Sequence, residues 1–186
     1  MRTPSHFLMT ATINTVVPAE HRHTIAFLIG SVLPDIPFTI LTLIYAVIYP
    51  LYETIPENMS TMEFLHFELF FSDPIWIISH NFFHSLVIGS GLLLLGYLKR
   101  DTRWGFVLLW LAIGTLLHTV IDIFTHHSDG PLFLFPLNWT YRFASPISYW
   151  EPDYFGNQFR IFEYLFNVSL LIYLLSRWLY KQRLSR

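Results

Sequence analysis

Apolar residues gather into four stretches, approximately Thr24–Tyr49, Pro74–Leu98, Trp104–Phe124 and Ile161–Tyr180. A hydrocarbon core about 30 Å thick is crossed by roughly 20 helical residues, so each stretch is long enough to span it. Lipid offers a bare backbone no hydrogen-bond partner, and the chain shows no two-residue alternation that would argue for a barrel. The pattern therefore predicts an all-α integral membrane bundle, a single membrane-embedded domain over residues 1–186 with about four transmembrane helices. Pro34-Asp35-Ile36-Pro37 interrupts the first span and predicts a kink or two half-helices there.

The basic residues are distributed unevenly between the ends of these spans. Four crossings place Arg2, Arg22, Lys99, Arg100, Arg103, Arg177, Lys181, Arg183 and Arg186 on one side, and Arg142 and Arg160 on the other. The positive-inside rule then makes both termini cytoplasmic. Two long loops, Pro50–Asp73 and Thr125–Arg160, face outwards with Glu53, Glu57, Glu63, Glu68, Asp73, Asp129, Glu151 and Asp153. Met62–Phe71 mixes bulky apolar residues with acids, as a short helix lying in the interface would. Trp139, Tyr141, Tyr149, Trp150 and Tyr154 add an aromatic girdle at that level. These loops serve either as interfacial anchors or as a lid over a site.

Composition agrees with a membrane protein and removes several function classes. Of 186 residues, 53% are hydrophobic and 13% charged, about half the charge of a soluble domain. Eleven basic against 13 acidic residues give no field for gripping nucleic acid. With no cysteine, disulfides and thiolate metal sites are excluded, so any metal must be held by imidazole and carboxylate. The first residues lack the features of a secretory signal and are expected to remain in the mature protein.

The polar residues inside the spans carry the chemistry. At 100° per residue, His118, Asp122 and His126 form one stripe on the third span, and residues four apart can reach one ion. His80 and His84 repeat that spacing on the second, while the first supplies Asp35 beside its proline kink. At about 1.5 Å per residue, His80 and His84 lie about 9 and 15 Å below the outer ends of the spans, and Asp122 and His118 about 3 and 9 Å. Asp35 lies about 16 Å from the inner end. These levels are compatible with one cluster in the outer half. His6 can join it only if residues 5–17 fold back as an additional helix. An ionisable group at such depth costs about 2.5–3.5 kcal/mol, so it requires a partner. Such a donor set suits Zn²⁺, Mn²⁺ or Fe²⁺. His126 and His127 are accounted for by the helix C-terminus, and Glu163 by a helix start.

Four ordered blocks carry a family resemblance: Thr3-Pro4-Ser5-His6, Gly30–Asp35, His84-Ser85, and Gly114–Asp122 followed by Asp129-Gly130-Pro131 and Phe135-Pro136-Leu137. Together they resemble a family of bacterial inner-membrane metal-dependent hydrolases, itself distantly similar to zinc-dependent phospholipase C. The resemblance implies metal ligation by His6, Asp35, His84, His118 and Asp122. It departs from the family pattern at His80, which lies four residues from His84 where the family's paired histidines are five apart. The expected activity is hydrolysis of a phosphoester of a lipid or lipid-linked substrate by metal-activated water, with Asp122 ligating or accepting the proton and membrane lipids as the surrounding partners. Two alternatives remain on sequence grounds: a transporter relaying protons or metal through intramembrane His and Asp, and a non-catalytic protein whose histidines tie helices together.

Overall fold

The computed structural model describes residues 1–52 and 55–184; Glu53 and Arg186, counted among the loop acids and the basic residues above, lie outside the described residues. The helices are α1 (Thr3–Val16), α2 (Thr24–Gly30), α3 (Asp35–Tyr52), α4 (Thr61–Glu63), α5 (Phe70–Ser72), α6 (Pro74–Asn81), α7 (Leu86–Leu98), α8 (Arg103–Thr125) and α9 (Gly156–Leu184), with a π-helical stretch over Phe64–Leu69 between α4 and α5. There is no strand among the described residues, so the fold is all-α. Helices α8 and α9 are each long and apolar enough to cross a membrane, and two bent pairs, α2 with α3 and α6 with α7, bring the candidate spans to four.

Both bends have local causes. Between α2 and α3 the axis turns by 51°. Pro34 and Pro37 lack amide hydrogens, and the chain passes through tight turns in which Asp35 N donates to Val32 O rather than to Ser31 O. The second span is not the unbroken helix that the sequence predicts. It bends by 44° between α6 and α7, and the i, i+4 spacing of His80 and His84 therefore does not lie on one helical face. No proline or glycine causes this break. Ser85 accepts the amide of Ile88 and so begins α7, while its own hydroxyl donates to Phe135 O, and Leu86 N donates to Phe133 O at 2.9 Å. The loop after α8 thus takes the Leu86 amide that a continuous helix would have directed to Phe82 O.

Residues 5–17 do fold back, as α1, which packs on α2 and α9. Every buried residue of α1 is polar: Ser5, His6, Thr10 and Asn14. The core crossing is α2 against α8, where Gly30 and Gly114 let the backbones approach. A Cβ on Gly114 would meet Phe27 O and would come within 3.0 Å of Ser31 N. Gly114→Leu is expected to force this crossing apart and to lower unfolding stability by about 1–3 kcal/mol, the usual cost of overpacking. A thermal melt in detergent against wild type checks it.

A candidate metal centre

Asp35 opens α3, His84 sits in the turn between α6 and α7, and His118 and Asp122 lie one turn apart on α8. One ligand atom from each falls within 4.8 Å of the other three. His84 Nε2 and His118 Nε2 are 3.2 Å apart. His118 Nε2 lies 3.0 Å from Asp122 Oδ2 and 3.4 Å from Asp35 Oδ1, and His84 Nε2 lies 3.5 Å from each. All but Asp35 are buried, and Asp35 is partly open.

The helix breaks also decide which ring nitrogens face inward. Ser31 O, left without its helical amide, accepts His118 Nδ1–H at 2.7 Å, and His80 O accepts His84 Nδ1–H at 2.6 Å. Each Nδ1 therefore carries a proton, and each Nε2 is turned toward the carboxylates. Two imidazole nitrogens and two carboxylate oxygens converge. Two imidazoles with two carboxylates are a donor set that divalent transition metals favour.

His6 joins the cluster from α1. Its ring stacks on His118 with centroids 3.7 Å apart, and its Nε2 donates to Asp122 Oδ1 at 2.9 Å, which places it outside the four-atom group. Thr3 Oγ1 donates to Asp35 Oδ2. The Met1 amino group bonds Asp122 Oδ1 at 2.8 Å and Thr125 Oγ1 at 2.6 Å. His80 stacks on His84 at 4.5 Å between the rings, with Phe38 and Phe70 edge-on to it. His126 Nδ1 bonds Asp129 Oδ1 at 3.0 Å, as a histidine at a helix end would, and its Nε2 lies 3.7 Å from Asp122 Oδ1. Glu163 is buried between α9 and the start of α1. The sequence reading missed the contributions of Thr3 and Ser5. Their only signal was their place in the Thr3–His6 block, since a threonine or serine at a helix start is ordinary.

A cavity of about 570 Å³ opens over the carboxylates. Asp35, Asp122, His80 and His126 are among its polar residues, together with Glu63, His66, Asp129 and Arg2, and Phe38, Met62, Phe67, Phe70, Phe71 and Trp150 form much of its apolar wall. The Met62–Phe71 segment thus covers the centre as well as meeting the surroundings. Arg142 braces it, with its guanidinium 5.0 and 5.2 Å from the rings of Phe70 and Phe71 and donating to Gly130 O. Burial lowers the Arg142 pKa to about 10, which still leaves it cationic. Burial works to raise the pKa of Asp129, but the hydrogen bond and charge of His126 hold it below the usual carboxylate range.

The family model described as YdjM inner membrane protein matches residues 1–184, and the chain belongs to that family. With its membrane-spanning helices, this makes it an inner-membrane protein. No curated protein and no solved structure matches it significantly.

Proposed function

We propose that this member of the YdjM inner membrane protein family is a membrane-embedded metal-dependent hydrolase, with zinc as the expected ion, acting on a phosphoester of a lipid or lipid-linked substrate. The observation that carries the reading is the convergence of two carboxylate oxygens with two imidazole nitrogens whose rings are fixed by backbone carbonyls. A divalent ion held by Asp35, His84, His118 and Asp122 would lower the pKa of a water and polarise a phosphoryl oxygen. The chain's own residues do the rest. His6 and Thr3 orient the two carboxylates, and the aromatic wall takes the apolar part of the substrate. Arg2 lies where it can meet an anionic head group. Arg22, Lys99, Arg100, Arg103, Arg177, Lys181 and Arg183 at the other ends of the spans favour an outward-facing site, whereas Arg2, grouped with them on sequence grounds, lines the cavity itself.

The test is purification in detergent without chelators, followed by metal analysis and assay of phosphate or head-group release from defined lipids. Stoichiometric divalent metal is expected, with release that chelation stops and added metal restores. Metal-free protein under these conditions would sink the reading. One observation favours a second reading, transport: the buried face of α1 stays polar from Ser5 to Asn14 and extends away from the cluster. Proton or metal flux in sealed vesicles without hydrolysis would move the assignment there.

A further inference from the structure

We propose that Glu163, on the last helix, is a positioning residue for the metal centre: it fastens the first turn of α1, and through that turn fixes both carboxylates facing the cavity. The proposal rests on the metal-binding reading above. Of the described residues of α9, only Gly156 and Glu163 are buried, and Glu163 is 2% exposed. Buried ionisable groups in membrane helices are costly and are usually retained for a purpose. Glu163 Oε1 accepts Arg2 N at 2.8 Å and Ser5 Oγ at 2.7 Å. Arg2 is the N-cap of α1, and its own side chain makes no capping bond, so a carboxylate from another helix supplies the acceptor and the negative charge that a helix start favours.

The same turn acts on the centre. Thr3 and His6, three residues apart and so on one face of α1, hold Asp35 and Asp122 respectively. Glu163 is neither in the four-atom group nor among the residues lining the cavity, so its route to the centre runs through α1. Without it, the first turn loses the anchor that sets the height of Thr3 and His6, and both carboxylates lose their fixed orientation. Groups that orient ligands in this way typically alter metal affinity by about 10–100-fold when removed.

The full chain in detergent, stripped of metal and titrated with Co²⁺, provides the test, because the visible absorption of Co²⁺ reports ligand geometry as well as affinity. Glu163→Ala is expected to weaken Co²⁺ binding by about 10–100-fold and to change the absorption bands. Glu163→Gln keeps an oxygen acceptor for Arg2 N and Ser5 Oγ and should restore both affinity and spectrum. Wild-type affinity and spectrum in Glu163→Ala would overturn the proposal, even if that variant melts earlier. Should Glu163→Ala not fold, Ser5→Ala removes one of the two bonds, and unchanged Co²⁺ binding there overturns it equally. A wild type that binds no Co²⁺ overturns the metal reading itself; binding by wild type and variants alike overturns only the role of Glu163.

Discussion

Asp122→Asn is expected to abolish stoichiometric metal binding while leaving the helices folded. Asparagine has the same shape, and its Oδ1 can still accept His6 Nε2–H, the bond that ties α1 to α8. What it loses is the negative charge and one carboxylate oxygen at the convergence of His84, His118 and Asp35. Substitutions behind a metal site already cost about 10–100-fold in affinity, so loss of a carboxylate within it should exceed about 100-fold. Any metal-dependent phosphate release should disappear with it. Asp122→Ala should be harsher, because the His6 and Met1 donors buried against the carboxylate lose their acceptor. Breaking such a buried arrangement typically costs about 3–5 kcal/mol. Metal content and melting temperature, measured on both variants, separate the two effects. Wild-type metal content in Asp122→Asn would remove Asp122 from the site.

His84→Ala and His80→Ala are expected to behave oppositely, although the residues are four apart and their rings stack. His84 turns Nε2 into the four-atom group, so its removal should cost more than about 100-fold in metal affinity, by the same reasoning. His80 contributes its backbone carbonyl to His84 Nδ1, and alanine retains that carbonyl. His80→Ala should therefore keep metal within about tenfold of wild type, below the range expected for an orienting side chain. It should instead lose stability, about 2–5 kcal/mol, as the ring packed on Phe38 and Phe70 is replaced by a void. Metal titration and thermal melts of the pair provide the contrast. Equal loss of metal in both would make His80 a ligand.

The two breaks in the bundle show how unevenly such features can be read from residues. Pro34-Asp35-Ile36-Pro37 announces the first, because proline cannot donate to a helix and crowds the turn before it. Asn81-Phe82-Phe83-His84 announces nothing, and helical spacing through it would put His80 and His84 on one stripe. The break there is made by Phe133 and Phe135, which take hydrogen bonds from Leu86 and Ser85 across about fifty residues of chain. Glu163 illustrates the same limit. A carboxylate near a helix start needs no further explanation in sequence, yet its acceptor bond is to Ser5, at a separation of 158 residues.

The sequence by itself determined that the chain forms membrane-spanning helices, where the first of them bends, and that His118 and Asp122 share a face of α8. These are local properties: hydropathy over about twenty residues, the missing amide of proline and the 3.6-residue turn. The tertiary structure alone decided that α1 folds back to set His6 and Thr3 on the two carboxylates, that Ser31 O and His80 O are free to orient the imidazoles, and that α9 lends Glu163 to the start of α1. Those outcomes depend on which backbone groups are left unpaired at the breaks and which distant side chains reach them. Periodicity along one helix carries no information about either.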